Sequence, residues 1–118
     1  MSVYLCVMNQ SKGTMLAQRV KVATSFRDRC VGLLGTPFLP TDQGLWLTPC
    51  RSVHTFFMRY AIDVLFLDAQ HRVLSVRTLV PWRFSHWERQ AAGVLELAAG
   101  TLAQTKTNVG DQLELKVL

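Results

Sequence analysis

Apolar residues fall at alternate positions in several short stretches of the chain, separated by clusters of Gly, Pro, Asn, Asp and Ser. VYLCVM (3–8) and MLAQRVKV (15–22) are rich in strand formers and flank the turn-prone NQSKG, which predicts a hairpin. In TSFRDRCVGLLG (24–35) the period changes. Phe26, Cys30, Leu33 and Leu34 form one helical stripe, Thr24 or Ser25 can cap it, and Gly35 can end it. Gly32 weakens its interior by about 1 kcal/mol, so the helix is short and depends on packing. TPFLPTDQG (36–44), with two prolines, is a loop.

GLWLTP (44–49), SVHTFFM (52–58), IDVLFLD (62–68), RVLSVRTLV (72–80) and GVLELA (93–98) then read as strands, with DAQH (68–71) as a turn. Pro81 halts ladder pairing, leaving PWRFSHWERQ (81–90) as a loop or covered edge. TLAQTKTN suggests a turn or short helix. In the last strand Leu113, Leu115 and Val117 oppose Glu114 and Lys116. Six to eight short strands with one or two short helices predict one mainly β (β-rich α+β) domain over residues 1–118, a compact β-sandwich or a partly closed barrel.

Charged groups sit inside this apolar pattern. IDVLFLD is apolar on both faces and reads as a central strand, yet it carries Asp63 beside Leu65 and Leu67. A dry carboxyl needs a partner, and Arg59, just upstream, is the nearest candidate. His54 shares a predicted face with Phe56 and Met58, Thr55 with Val53 and Phe57. Glu96 repeats the problem in GVLELA, alongside Val94 and Ala98. The expectation is one pocket where His54, Thr55, Arg59, Asp63 and Glu96 meet a ligand, rimmed by Trp82, Arg83 and Trp87 from the aromatic loop. The competing reading makes each a structural group, with Asp63 and Arg59 holding a corner and His54 satisfied in the core.

Composition changes this picture little. In 118 residues, nine arginines and four lysines against eight acids leave a net charge of +5, scattered without a basic tail. Cys6, Cys30 and Cys50 cannot all pair, which fits thiols in a reducing compartment. No apolar run reaches the roughly 20 residues that span a bilayer, and the first residues do not form a signal peptide. The chain therefore reads as cytoplasmic, with no membrane partner. Cys50 and His54 have the spacing of two metal ligands but lack partners, so no metal or other cofactor is expected. A Cys50/His54/Asp63 nucleophilic set would need a bend at 50–52, and neither a serine-hydrolase elbow nor a phosphate loop is present.

The stretch HTFFMRYAIDVLFLD, with CVGLLG and GLWLTPC upstream and VLELAAG and NVGDQLEL downstream, resembles the DUF192 family, also called uncharacterised ACR, over roughly residues 13 to 118. The resemblance implies a compact β-rich domain of unassigned function. It places the family's motif positions on His54, Thr55, Met58, Arg59, Asp63, Glu96, Gly100, Gly110 and Asp111. Ala61 and Ala98 stand where that family often has proline, which loosens two backbone corners and removes no polar group.

The leading expectation is a binding module for a small polar or anionic ligand, or for a segment of a partner protein. One alternative is an acid–base enzyme with His54 as base, oriented by Asp63 or Glu96. Another is RNA binding through the 81–89 loop, where aromatics alternate with arginines; a nucleic-acid partner is the less expected outcome, because such loops more often rim a pocket.

Overall fold

The computed structural model describes residues 2–25, 28–29 and 32–118. Seven strands form one mixed sheet: β1 (Tyr4–Asn9), β2 (Thr14–Ala23), β3 (Gln43–Leu47), β4 (Ile62–Leu67), β5 (Val73–Leu79), β6 (Gly93–Ala98) and β7 (Leu113–Val117). Their spatial order is β5-β4-β6-β3-β2-β1-β7. β2 and β3 are parallel and the other neighbours antiparallel, so a long crossover must join those two. Leu33, Leu34 and Leu39 of that connection pack against one face of the sheet.

The sheet curls until its edge strands meet at one end. The Val73 amide donates to the Asp111 carbonyl at 2.9 Å, Gly110 to Val73 at 2.8 Å and Leu113 to His71 at 3.1 Å. The result is a half-barrel, the partly closed form among the expected architectures, and its edges are mutually satisfied where they touch. A polar knot locks this seam. Asn9 Nδ2 donates to Thr107 Oγ1 and to Asp111 Oδ2, both at 3.0 Å, while Lys12 Nζ reaches Asp111 at 2.8 Å. Burial pushes the Asp111 carboxyl pKa up, but hydrogen bonds from Asn9, Lys12 and Asn108 and the Lys12 charge outweigh it and hold it at about 2.

Alternation along the strands sorts the core into two faces. Leu5, Val7, Val20, Trp46, Leu65, Leu97 and Leu113 pack inside the curl. Ile62, Val64, Phe66 and Val94 face outward and are covered by Leu33, Val53 and Met58 from the loops. β4 and β6 are thus buried on both sides, as their unbroken apolar runs require. A short helix, α1 (Thr101–Thr105), follows Gly100, whose φ of 97° suits a residue without Cβ.

Two segments differ from the pattern. In the crossover, the Asp28 amide binds Ser25 Oγ at 3.0 Å, the expected cap. Gly32 already adopts a φ of 50°, however, so the helical turn ends before Gly35. Phe26 and Cys30 of the predicted stripe lie outside the described residues. The second segment, 52–58, is not a strand. His54 makes only an isolated bridge to Phe84, and residues 55–58 form a turn closed by the Met58 amide on the Thr55 carbonyl at 3.1 Å. Phe57 in that turn has a φ of 67°, which strand geometry forbids.

The backbone of β6 begins with a glycine because Trp46 lies directly over it. A Cβ on Gly93 would sit 2.5 Å from the Trp46 ring. Gly93→Ala is therefore expected to destabilise the protein by about 1–3 kcal/mol in urea unfolding, with a change in near-ultraviolet circular dichroism as the indole shifts.

Candidate functional site

Register decides which acids can meet. In the β4–β6 ladder Asp63 pairs with Leu97 and Val64 pairs with Glu96. Directly paired residues share a face, so Asp63 points into the curl and Glu96 points out of it. The two acids lie on opposite sides of one sheet. The expected common pocket for Asp63 and Glu96 is corrected accordingly.

Asp63 is occupied where it stands. Thr78 Oγ1 donates to its Oδ1 at 2.7 Å, and the amides of Gly100 and Leu102 donate to its Oδ2 at 3.1 and 2.9 Å. It anchors the start of α1, and its side chain is fully buried there. The expected partner Arg59 is exposed at the corner before β4 and does not contact it. Backbone amides three dozen residues downstream supply what the local arginine does not.

Thr55 is similarly committed. Its amide donates to the Arg83 carbonyl at 2.7 Å, its carbonyl accepts from Trp82 at 3.0 Å, and its hydroxyl donates to Val80 at 2.6 Å while accepting from the Arg83 amide. This one residue straps the 53–58 turn to the 80–85 loop. Arg83 and Trp82 are held there, exposed, away from Glu96.

Glu96 has a different environment. It sits on the outer face of β6 between Leu45 of β3 and Val64 of β4. Beside it a cavity of about 360 Å³ opens under the loops. Leu33, Leu47, Val53 and Met58 form apolar walls, and Cys50 lies along one side. Arg29, Arg51, His54 and Trp87 bring polar and aromatic groups to the opening. Of the residues expected at a pocket, the fold brings His54, Glu96 and Trp87 to this one. Arg29, Arg51 and Cys50 join them, and only the tertiary path of the loops reveals it.

Two pKa shifts follow from burial. Desolvation pushes the Glu96 carboxyl up to about 8, and among the described residues no hydrogen bond reaches it. Glu96 is therefore mostly neutral at pH 7 and can donate a proton in a hydrogen bond. Burial also raises the Cys50 thiol, with Glu96 pushing the same way and Arg29 opposing. A raised thiol is a poor nucleophile, and Asp63 is on the far face, so the Cys50/His54/Asp63 set does not assemble. Arg29 Nη1 donates to the Pro49 carbonyl at 2.6 Å and Cys50 to the Ser52 carbonyl at 3.1 Å, which shapes the 48–52 wall.

One cluster was not visible in the pattern. Ser75 Oγ lies 3.1 Å from Glu88 Oε2 and 3.4 Å from His86 Nε2, and that same nitrogen is 3.1 Å from Glu88. A serine relay needs the acid on the other ring nitrogen, so this arrangement is a strap between β5 and the 85–88 loop. Among the described residues no three His, Cys, Asp or Glu side chains gather as a metal site would require. None of their helices is long and apolar enough to cross a membrane.

The DUF192 family model (uncharacterized ACR) matches residues 7–115, nearly the whole sheet including Glu96. The chain belongs to the DUF192 family. This DUF192 chain is 32% identical over 119 residues to a UPF0127 protein of Thermococcus sibiricus, covering 94% of itself and 75% of that protein. It is 33% identical over 113 residues to one from Pyrococcus horikoshii, covering 92% and 96%. A protein of unknown function from Novosphingobium aromaticivorans has a TM-score of 0.81 at 20% identity, over 96% of this DUF192 chain and 84% of its own. A Sinorhizobium meliloti protein, whose name suggests a transcription regulator, has a TM-score of 0.82 at 22% identity, over 98% and 94%. Likeness at that identity establishes the DUF192 half-barrel and nothing about activity.

The Glu96 shift carries a signed consequence. The folded protein keeps the Glu96 proton up to about pH 8, while the unfolded chain loses it near 4.5. Relative to Glu96→Gln, wild-type unfolding free energy should fall by about 1.4 kcal/mol per pH unit through that window and be level below it. Urea titrations from pH 4 to 9 measure the difference. Asp63→Ala, by contrast, orphans the Gly100 and Leu102 amides and the Thr78 hydroxyl and is expected to cost roughly 3 kcal/mol, read from urea unfolding at pH 7.

Proposed function

We propose that this protein is a binding module for a small amphipathic ligand with an anionic or carbonyl head, held in the Glu96 cavity. The observation that carries the reading is a carboxyl with its pKa raised to about 8 by burial, lining a hollow with apolar walls and without a hydrogen bond from the described residues. Burying a carboxyl in a sheet interior costs desolvation, which a hydrogen bond from its proton to a bound oxygen atom would offset. A carbonyl or carboxylate oxygen does this. Its apolar body would lie against Leu33, Leu47, Val53 and Met58, and residual negative charge would face Arg29 and Arg51. His54 and Trp87 rim the opening.

A second reading, acid–base catalysis, draws on the same carboxyl. A group that exchanges its proton near pH 8 in an apolar hollow is suited to general acid work. Its acid is then Glu96, with His54 at the opening and Asp63 outside the reaction.

Native mass spectrometry of the protein purified from its own cells tests both. Binding predicts a non-covalent small-molecule adduct whose occupancy drops about tenfold in Glu96→Leu, the worth of one lost hydrogen bond. Catalysis predicts a compound that is covalently altered on incubation with fresh protein. Wild-type protein that emerges empty, with Cys50 alkylated by iodoacetamide equally fast in extract and after purification, overturns both.

A further inference from the structure

Outside the cavity, the loops that Thr55 straps together carry a second feature with no internal use. Phe57, Trp82 and Phe84 are 72%, 55% and 73% exposed, and Val80 beside them is 49% exposed. Two of these rings are held outward by the backbone itself: Phe57 has a φ of 67° and Trp82 a φ of 66°. Bulky residues rarely adopt that conformation, and here it presents large apolar rings to solvent. The rings pack on one another. Phe57 and Trp82 centroids are 4.6 Å apart, Phe56 lies 6.0 Å from Trp82 and 5.9 Å from Phe84, and His54 stacks on Phe56 at 5.2 Å. The result is a continuous apolar knuckle rather than scattered surface rings.

Its charge is one-sided. Neither 51–60 nor 80–87 contains an acid, while Arg51, Arg59 and Arg83 lie within them and all three are exposed. Asp68 lies at the opposite end of the β4–β5 hairpin, and Glu88 is bonded to Ser75 and His86. A second copy of the chain would bring like charges together. Single-stranded nucleic acid needs open ring faces for bases, whereas these rings lean tilted or edge-on against each other, with aliphatic Val80 among them.

We infer that the knuckle of Phe56, Phe57, Trp82 and Phe84 is a docking surface for an anionic lipid bilayer. The aromatic rings enter the interfacial region and the arginines meet lipid phosphates. The shortness of the chain's apolar runs bears on spanning a bilayer and leaves surface docking open. His54 belongs both to this knuckle and to the mouth of the Glu96 cavity, so a docked protein would hold that mouth close to the lipid surface.

The test uses the full chain with vesicles of phosphatidylcholine alone and of phosphatidylcholine and phosphatidylglycerol in equal parts. Expected is co-sedimentation with the anionic vesicles only, at least tenfold over the neutral ones, with a blue shift of Trp82 and Trp87 emission. The double variant Phe57→Asn, Trp82→Asn should lose this binding at least tenfold. Asparagine tolerates positive φ, so the loops keep their path, and the emission of buried Trp46 reports that the fold is intact. Absence of vesicle binding, or binding unchanged in a folded double variant, overturns the inference. So does binding of oligouridylate in place of vesicles, or a wild-type dimer in solution that the variant abolishes.

Discussion

A carboxyl group held in a strand buried on both faces is the constraint around which the molecule is arranged. β6 lies third from one edge of the sheet, between β4 and β3, with apolar layers above and below. Placing Glu96 there costs desolvation that no ion pair among the described residues relieves, and burial raises its pKa to about 8. The loops over that face do not seal it. They leave a hollow at this carboxyl. Packing, protonation and the proposed binding are thus one fact seen at three levels.

The other polar groups of the middle segment serve the frame. Asp63 ties the inner face of β4 to the start of α1, Thr55 ties one loop to another, and Asp111 with Asn9 and Lys12 closes the seam of the half-barrel. Each is itself buried and bridges elements distant in the chain through hydrogen bonds, which gives a small β domain uniqueness that apolar contacts alone do not. The Thr55 strap has the most direct functional consequence. By fixing the 53–58 turn against the 80–85 loop, it sets the height of the rings at their tips and the position of His54 at the cavity mouth.

Cavity and knuckle are joined by that same pair of loops. His54 lines the mouth of the Glu96 cavity and stacks on Phe56, which in turn lies 6.0 Å from Trp82. The sheet beneath, paired strand to strand across the curl, is the rigid reference against which those loops stand.

Alternation and turn chemistry alone were enough to place the seven strands, the β1–β2 hairpin and the doubly buried character of β4 and β6, and narrowed the cap to Thr24 or Ser25, because each depends on residues within a few positions of one another. They also flagged Asp63 and Glu96 as acids in apolar strands, and even placed each on its correct face relative to its own neighbours. They failed at 52–58, where alternation suggested a strand and a left-handed Phe57 made a turn. What local pattern could not supply was register between strands thirty residues apart. The offset that pairs Val64 with Glu96 separates the two acids by the thickness of the sheet, gives one to a helix start and the other to a hollow. Only long-range packing sets that offset, so only the folded chain decides which carboxyl ties the frame together and which opens on a cavity.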